Sequence, residues 1–178
     1  IKEFPYIKNN YLTFGSFNNY KKINNVIIKL WIQILSEFKD SIIILKNNKL
    51  HNSNQEEKIK KIFHQENISF SRIKFLNRIE NHFKHLDHYN NIDISLDTYP
   101  YSGTTTTFES LSMNRPVYSL VGDTHASRVS GSILNSLQLN KFIVDNPSKY
   151  LPKIIEIVMD KETFTTNYRT LLFKSRIC

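Results

Sequence analysis

The densest run of chemistry-bearing residues is Asp97-Thr98-Tyr99-Pro100-Tyr101-Ser102-Gly103-Thr104-Thr105-Thr106-Thr107-Phe108-Glu109. Its pattern predicts a strand that ends, a turn carrying Pro100 and Gly103, and a helix that begins among the threonines. Free backbone N–H groups and the helix dipole at such a start favour an anion. Gly103 permits close approach of the backbone, and threonine hydroxyls add donors without adding charge. Glu109 falls about one turn into the helix, where a carboxylate can accept both hydroxyls of a ribose. Phosphate donors and a ribose acceptor in one loop–helix unit suit a nucleoside diphosphate. The competing reading is local: Thr106-x-x-Glu109 is itself a capping box. Four consecutive threonines exceed what a cap requires, and threonine is a poor helix former.

A second constellation is Phe14-Gly15-Ser16-Phe17-Asn18-Asn19-Tyr20-Lys21-Lys22-Ile23, a strand followed by a polar turn and two lysines. Lys22 can reach a diphosphate held over a neighbouring strand end. From spacing alone a solvated lysine in a lysine-rich chain is the favoured reading. A third is His82-x-x-His85-x-x-His88. On a helix these side chains fan out by about 120°, since each three-residue step falls short of a turn. They do not converge on one metal ion, and no metal site is expected. One histidine facing a ligand edge fits better. Asp93 and Asp97 share a strand face and suit a structural acid and a strand-end cap. Thr124-His125-Ala126-Ser127-Arg128 opens another helix, either as a cap or near the same ligand edge. The chain has no GxGxxG, no GxxxxGK[ST] and no GxSxG, which removes the dinucleotide, P-loop and hydrolase patterns.

The elements that must position these residues alternate. Strands are expected over Tyr11 to Phe17, Ser41 to Lys46, Arg72 to Leu76, Asp93 to Thr98, Pro116 to Val121 and Phe142 to Asp145. Helices are expected over Asn24 to Lys39, Gln55 to Asn67, Asn81 to Asn91, Thr124 to Leu137, Lys149 to Met159 and Lys161 to Lys174, with Ser102 to Asn114 a loop leading into a further helix. In the helix from Asn24, Val26, Ile27, Leu30, Ile34, Leu35 and Phe38 recur at helical spacing. Asn pairs at 9–10, 18–19, 24–25, 47–48 and 90–91 suit turns and element ends. Six strand–helix alternations predict an α/β fold, a Rossmann-like parallel sheet with helices on both faces. Ligands then bind outside the carboxyl ends of the strands, at residues 15–23, 77–85 and 98–107.

With 178 residues the chain has length for one domain, residues 1–178. It starts at Ile1, which suggests a fragment. No apolar run approaches the ~18 residues of a membrane helix, no signal peptide is visible, and no membrane partner is expected. Cys178 is the sole cysteine. That excludes a disulfide framework and fits a reducing compartment, the cytoplasm or the nucleus. The net charge of +8 suits a phosphate-rich partner, yet Lys, Asn and Ile are all abundant, as an AT-rich genome gives. The basic residues are scattered and form no stripe, which argues against bulk nucleic-acid binding.

The block from Asp93 to Leu111 resembles the signature of the O-GlcNAc transferase and SPINDLY family. Phe14-Gly15-Ser16-Phe17-Asn18-Asn19 with Lys22-Ile23 is similar to that family's first strand and loop, and Gly122-Asp123-Thr124-His125-Ala126-Ser127-Arg128-Val129 to a further block. Order and spacing agree from about Phe14 to Cys178. The resemblance implies the C-terminal, donor-binding lobe of a GT-B enzyme, without the N-terminal lobe or any helical repeats. It implies inverting, metal-independent transfer, with no cofactor, from a nucleotide sugar (UDP-GlcNAc or GDP-fucose) to Ser or Thr of proteins. Lys22 matches the lysine that neutralises the diphosphate. His85 matches a histidine near the nucleotide, Thr105 and Thr106 the phosphate-contacting pair, and Glu109 the ribose-binding acid. Asn19 stands where animal members have Gln, and Thr104 where they have His. His82 and His88 replace basic residues. These departures lean toward the SPINDLY branch, whose plant members transfer fucose. A non-catalytic nucleotide-sugar-binding module and a basic nucleic-acid-binding domain are the alternatives.

Overall fold

A computed structural model describes residues 3–46, 53–77 and 79–159. Six strands form one parallel sheet: β1 (Thr13–Ser16), β2 (Ile42–Lys46), β3 (Ile73–Leu76), β4 (Ile94–Leu96), β5 (Val117–Leu120) and β6 (Ile143–Val144). Their order across the sheet is β3-β2-β1-β4-β5-β6. The chain therefore builds outward from β1 to one edge, then returns to start again beside β1 with β4. That reversal opens a crevice between β1 and β4, at the carboxyl ends of both. Register fixes the two strands closely there, with Phe14 opposite Ile94 and Gly15 opposite Ser95.

Seven helices connect or flank these strands among the described residues: α1 (Pro5–Asn9), α2 (Asn25–Glu37), α3 (Ser53–Gln65), α4 (His82–Asp87), α5 (Thr105–Ser112), α6 (His125–Ser136) and α7 (Tyr150–Met159). Helix α2 starts where the Asn24 side chain accepts from the amides of Val26 and Ile27, supplying partners that a helix start otherwise lacks. It buries Ile27, Ile28, Leu30, Trp31, Ile32, Ile34 and Leu35 in the main hydrophobic core. Each such side chain contributes roughly 1.5–3 kcal/mol. Val26, expected on that face, is 50% exposed, because it occupies the first turn on the solvent side. Strand β2 is covered on both faces, which explains its unbroken β-branched run.

Some expected elements differ in extent, and one lies outside the described residues. The helix predicted over Asn81 to Asn91 stops at Asp87 and continues as a 3-10 turn, His88–Asn91. The last strand shortens to Ile143–Val144. The helix predicted over Lys161 to Lys174 lies outside the described residues, as does the Asn47–Asn48 pair. The remaining Asn pairs do mark element ends. Asn10 closes α1 in the left-handed region (φ 60°), while Asn19 and Asn24 cap helical turns through their side chains.

Buried ions tie the N-terminal segment down. Asp93, with no exposure, accepts from the amides of Tyr6 and Thr13 at 2.9 and 2.7 Å. Burial pushes its carboxyl up to about 6, against the pull of those amides and of Arg115. The Arg115 guanidinium donates to the carbonyls of Tyr89 and Glu3, both at 3.0 Å. Asp93 is thus the structural acid expected from its place on the strand. No helix of the described residues is long and apolar enough to cross a membrane.

Candidate functional site

The switch-point crevice is walled by two loops, residues 17–24 after β1 and residues 97–104 after β4. Asp97, 2% exposed, is their hub. Its Oδ1 accepts from the amides of Thr98 and Gly103, both at 2.8 Å, and from Asn18 Nδ2 at 3.4 Å; its Oδ2 accepts from the Ser119 hydroxyl at 2.8 Å. Burial pushes this carboxyl up, and the surrounding donors pull it back. Gly103 has to be glycine at this point. An added Cβ would lie 2.5 Å from Thr106 Oγ1 and 3.2 Å from Asp97 Oδ1. Helix α6 supports the turn from behind with a face of small residues, Ser127, Ser130 and Gly131. There Ser130 donates to the Gly103 carbonyl and Ser102 to the Ala126 carbonyl, both at 2.8 Å.

Lys22 ends a short 3-10 turn, Tyr20–Lys22, whose start is capped by the Asn19 side chain. Its ammonium donates to the Ser102 carbonyl at 2.9 Å and lies 4.1 Å from the centre of the Tyr101 ring. Half-burial lowers its pKa, and Asp97 offsets part of that. The two loops are joined again where Asn24 Nδ2 donates to the Tyr99 carbonyl at 2.7 Å and Thr106 Oγ1 donates to Asn18 Oδ1 at 2.9 Å. Lys22 and the threonine turn therefore occupy one edge of the sheet.

The four threonines divide. Thr104 is the N-cap residue of α5, and its side chain makes no cap bond. Thr106 and Glu109 both lie inside α5, so the capping box read from the sequence does not form. Thr104 and Thr105 are exposed, whereas Thr107 is buried, with its hydroxyl 2.8 Å from that of Ser130. The Thr106 hydroxyl gives its proton to Asn18, which leaves its backbone N–H as the donor facing the crevice. Helix geometry leaves the amides of this first turn without intrahelical partners.

Glu109 sits deeper, in a cluster of side chains from four elements. Its Oε2 lies 3.0 Å from His85 Nε2 and accepts from the Tyr89 hydroxyl, also at 3.0 Å. His85 Nδ1 in turn meets the ammonium of Lys46, the last residue of β2. Burial lowers Lys46 to about 8, and Glu109 holds it from falling further. His88 is also pushed down, by burial first and then by Lys46 and His85. The His82 and His85 rings stack at 6.3 Å. No group of three or more acids, histidines or cysteines able to hold a metal occurs among the described residues. Thr124 caps α6 by accepting from the Ser127 amide at 3.3 Å, the cap option of its two readings.

Every site residue expected from the sequence falls in these two adjoining clusters: Asn19 and Lys22 in the first, Thr104, Thr105 and Thr106 between them, and His85 with Glu109 in the second. Asn18, Lys46 and Tyr89 were not expected. Lys46 had a signal, a single cation closing the apolar run Ile42 to Leu45. Tyr89 follows His85 at helical spacing, but its partner Glu109 comes from a distant element.

Comparison with known proteins places the family and the fold. The description of glycosyl transferase family 41 matches residues 4–177. A Solanum lycopersicum protein named as a probable UDP-N-acetylglucosamine–peptide N-acetylglucosaminyltransferase SPINDLY is 34% identical over 98% of this chain. The chain spans 19% of that relative's length. A mutant O-GlcNAc transferase of Thermobaculum terrenum superposes with a TM-score of 0.84 at 25% identity, over 93% of this chain and 32% of that one. The C-terminal domain of a Francisella tularensis group 1 glycosyl transferase shares the fold at 11% identity, TM-score 0.67, over 95% of this chain and 89% of that one. The sheet is the Rossmann-like one of GT-B glycosyltransferases, as the sequence predicted. The chain belongs to glycosyl transferase family 41.

Proposed function

We propose that this chain is the donor-binding domain of a protein O-glycosyltransferase, with the diphosphate of a nucleotide sugar seated between Lys22 and the start of α5. The observation that carries the reading is the Lys22 ammonium, 2.9 Å from the carbonyl of Ser102, two residues before the N-cap of α5. A cation and a helix N-terminus then meet one ligand from two sides. Thr105 and Thr106 face the phosphates, Thr106 through its amide. Glu109 accepts from the ribose hydroxyls, His85 lies beside it, and Asn19 borders the diphosphate.

The reaction is a single displacement at the anomeric carbon by a Ser or Thr hydroxyl of an acceptor protein. The anomeric C–O bond to the diphosphate breaks as the new C–O bond forms, and the proton of the acceptor hydroxyl passes to solvent. Negative charge builds on the departing diphosphate, and Lys22 with the amides at Thr104 to Thr106 stabilises it without a divalent ion. Such donors act most strongly when held in place beforehand, and the Ser102 carbonyl and Tyr101 ring hold Lys22. The acceptor side of the cleft belongs to a second lobe, so the 178 residues alone bind nucleotide weakly and transfer nothing.

UDP-GlcNAc is favoured as donor by the names of the SPINDLY relatives; GDP-fucose is the competing donor. Thermal-shift titration of the full-length protein with UDP, GDP, UDP-GlcNAc and GDP-fucose tests the reading. A ligand bound only by the folded state at 100 times its Kd stabilises by about 2.7 kcal/mol. The expected result is a rise with one base and its sugar. No rise with any of the four, together with steeply salt-dependent DNA or RNA binding, overturns it.

A further inference from the structure

We propose that Lys46 is a positioning residue for ribose recognition: acting through His85, it fixes the Glu109 carboxylate so that one of its oxygens stays open to ligand hydroxyls. The inference rests on the nucleotide-sugar reading above and adds a residue which that reading does not contain.

Lys46 closes β2 and is 1% exposed. It is therefore out of reach of a ligand lying over the strand ends. Its ammonium meets His85 Nδ1 and lies 5.7 Å from the centre of the Phe17 ring. An ammonium only donates, so Nδ1 must present its lone pair and the ring proton must sit on Nε2. Nε2–H then donates to Glu109 Oε2 at 3.0 Å, and the Tyr89 hydroxyl donates to that same oxygen. Among the described residues, no donor is found on Oε1. The carboxylate is held from one side and offers its second oxygen to a vicinal diol.

The chain of dependence runs in one direction. Phe17 and Tyr89, whose rings pack at 4.6 Å, wall the cluster. The groups that face Lys46 are the His85 ring, the Glu109 carboxylate and the His88 ring, with Asp87 beyond. With methionine in place of Lys46, Nδ1 has no donor and the ring is free to take either tautomer. One of these points a lone pair at Glu109 and releases it. The positioning argument predicts loss of selectivity for ribose, whereas a merely structural role predicts equal loss for every nucleotide.

Two measurements test this. Calorimetric titration of the full-length protein compares UDP and GDP with their 2′,3′-dideoxy counterparts. In wild type the ribonucleotide binds about tenfold more tightly, the worth of one good hydrogen bond to a charged group. Lys46→Met brings the ratio toward one and leaves dideoxynucleotide affinity unchanged. Lys46→Arg keeps part of the preference. Glu109→Gln removes it, and adding Lys46→Met to Glu109→Gln changes nothing further. A Lys46→Met protein that keeps the ratio, or loses both affinities equally, overturns the proposal. Wild type that binds no nucleotide overturns the functional reading itself. The second measurement needs no nucleotide: long-range nitrogen–proton NMR of the full-length protein, with the His85 signals assigned by substitution, should show His85 protonated at Nε2. A Nδ1–H tautomer there defeats the assignment of Lys46 alone.

Discussion

The two clusters that meet at α5 are built from different kinds of bond. Around Asp97, most contacts join a side chain to a backbone group of the same loop or of the neighbouring one, as with the Thr98 and Gly103 amides and the Ser102 carbonyl. Around Glu109, the contacts join side chains to one another, from β2, α4, the turn at His88–Asn91 and α5. The first kind places backbone donors and acceptors, so it shares the fate of the fold. The second kind depends on rotamers and protonation, so it can be altered while the sheet stays intact. The Lys22 end of the crevice, proposed above for the diphosphate, is accordingly the rigid end, and the Glu109 end, proposed for the ribose, is the tunable one.

Removing the hub of the rigid cluster should give the largest effect. Asp97→Ala strands the amides of Thr98 and Gly103 and the Ser119 hydroxyl, all of which point at the vacated space. Burial raises the Asp97 carboxyl's pKa, so alanine relieves part of a desolvation cost, but several buried donors lose their acceptor at once. A loss of about 3–5 kcal/mol is expected, or roughly 10 °C in melting temperature for a domain of this size. A melting curve like that of wild type would show that Asp97 does not hold the two loops.

Lys22→Ala separates chemistry from architecture within the same cluster. Its bond to Ser102 and its contact with the Tyr101 ring are half-exposed, and their loss costs about 0.5–1 kcal/mol of stability. Transfer by the full-length protein should fall by about 10²–10³, the usual effect of removing one preorganised donor. Unchanged turnover together with unchanged nucleotide affinity would remove Lys22 from the mechanism.

The tunable cluster should show itself in the pH dependence of stability. In the unfolded chain Lys46 holds its proton up to its ordinary 10.5; in the fold it releases it near 8. Between those values the unfolded state binds more protons, so this group makes stability rise with pH. Below pH 8 its burial penalty is present in full, on the order of 3 kcal/mol. Buried tyrosines such as Tyr20 and Tyr118 are shifted upward and act in the opposite sense above pH 10. Urea denaturation at pH 7.5, 8.5 and 9.5 should therefore show wild type gaining on Lys46→Met across that window. A constant difference between the two would mean that Lys46 titrates outside it.

The same contrast explains what could be read from the sequence. The sheet, its order of elements and the first cluster follow from local patterns. The β-branched run of β2, the helical spacing in α2, and the turn residues Pro100 and Gly103 each announce their structure in place. Strand ends then bring the loops of β1 and β4 together by topology alone. In the second cluster, the meeting of Lys46 with His85 has no local signature. Nothing near Lys46 shows that it will face His85, because that contact arises from sheet order and from where α4 ends. Local reasoning also offered a capping box of Thr106 and Glu109 as the competing reading. The helix starts one residue after Thr104, which puts both inside it, and tertiary partners take both side chains.

Within the threonine run, Thr105 and Thr106 offer the finest division between the two modes, since they are neighbours with opposite commitments. Thr106→Val keeps the shape and removes the hydroxyl that bridges to Asn18, a residue 4% exposed. The Asn18 carbonyl oxygen then loses its donor from α5, at a cost of about 1 kcal/mol. Thr105→Val removes an exposed hydroxyl and should change stability by less than about 0.5 kcal/mol. Nucleotide affinity should respond in the opposite proportion. The Thr105 hydroxyl is free to meet a phosphate oxygen, whereas the Thr106 hydroxyl is already committed to the loop that carries Lys22. If chemical denaturation finds the two variants equally stable, the bridge between the loops carries none of the load assigned to it. The rigidity of the Lys22 end must then come from Asp97 and the face of α6 behind it.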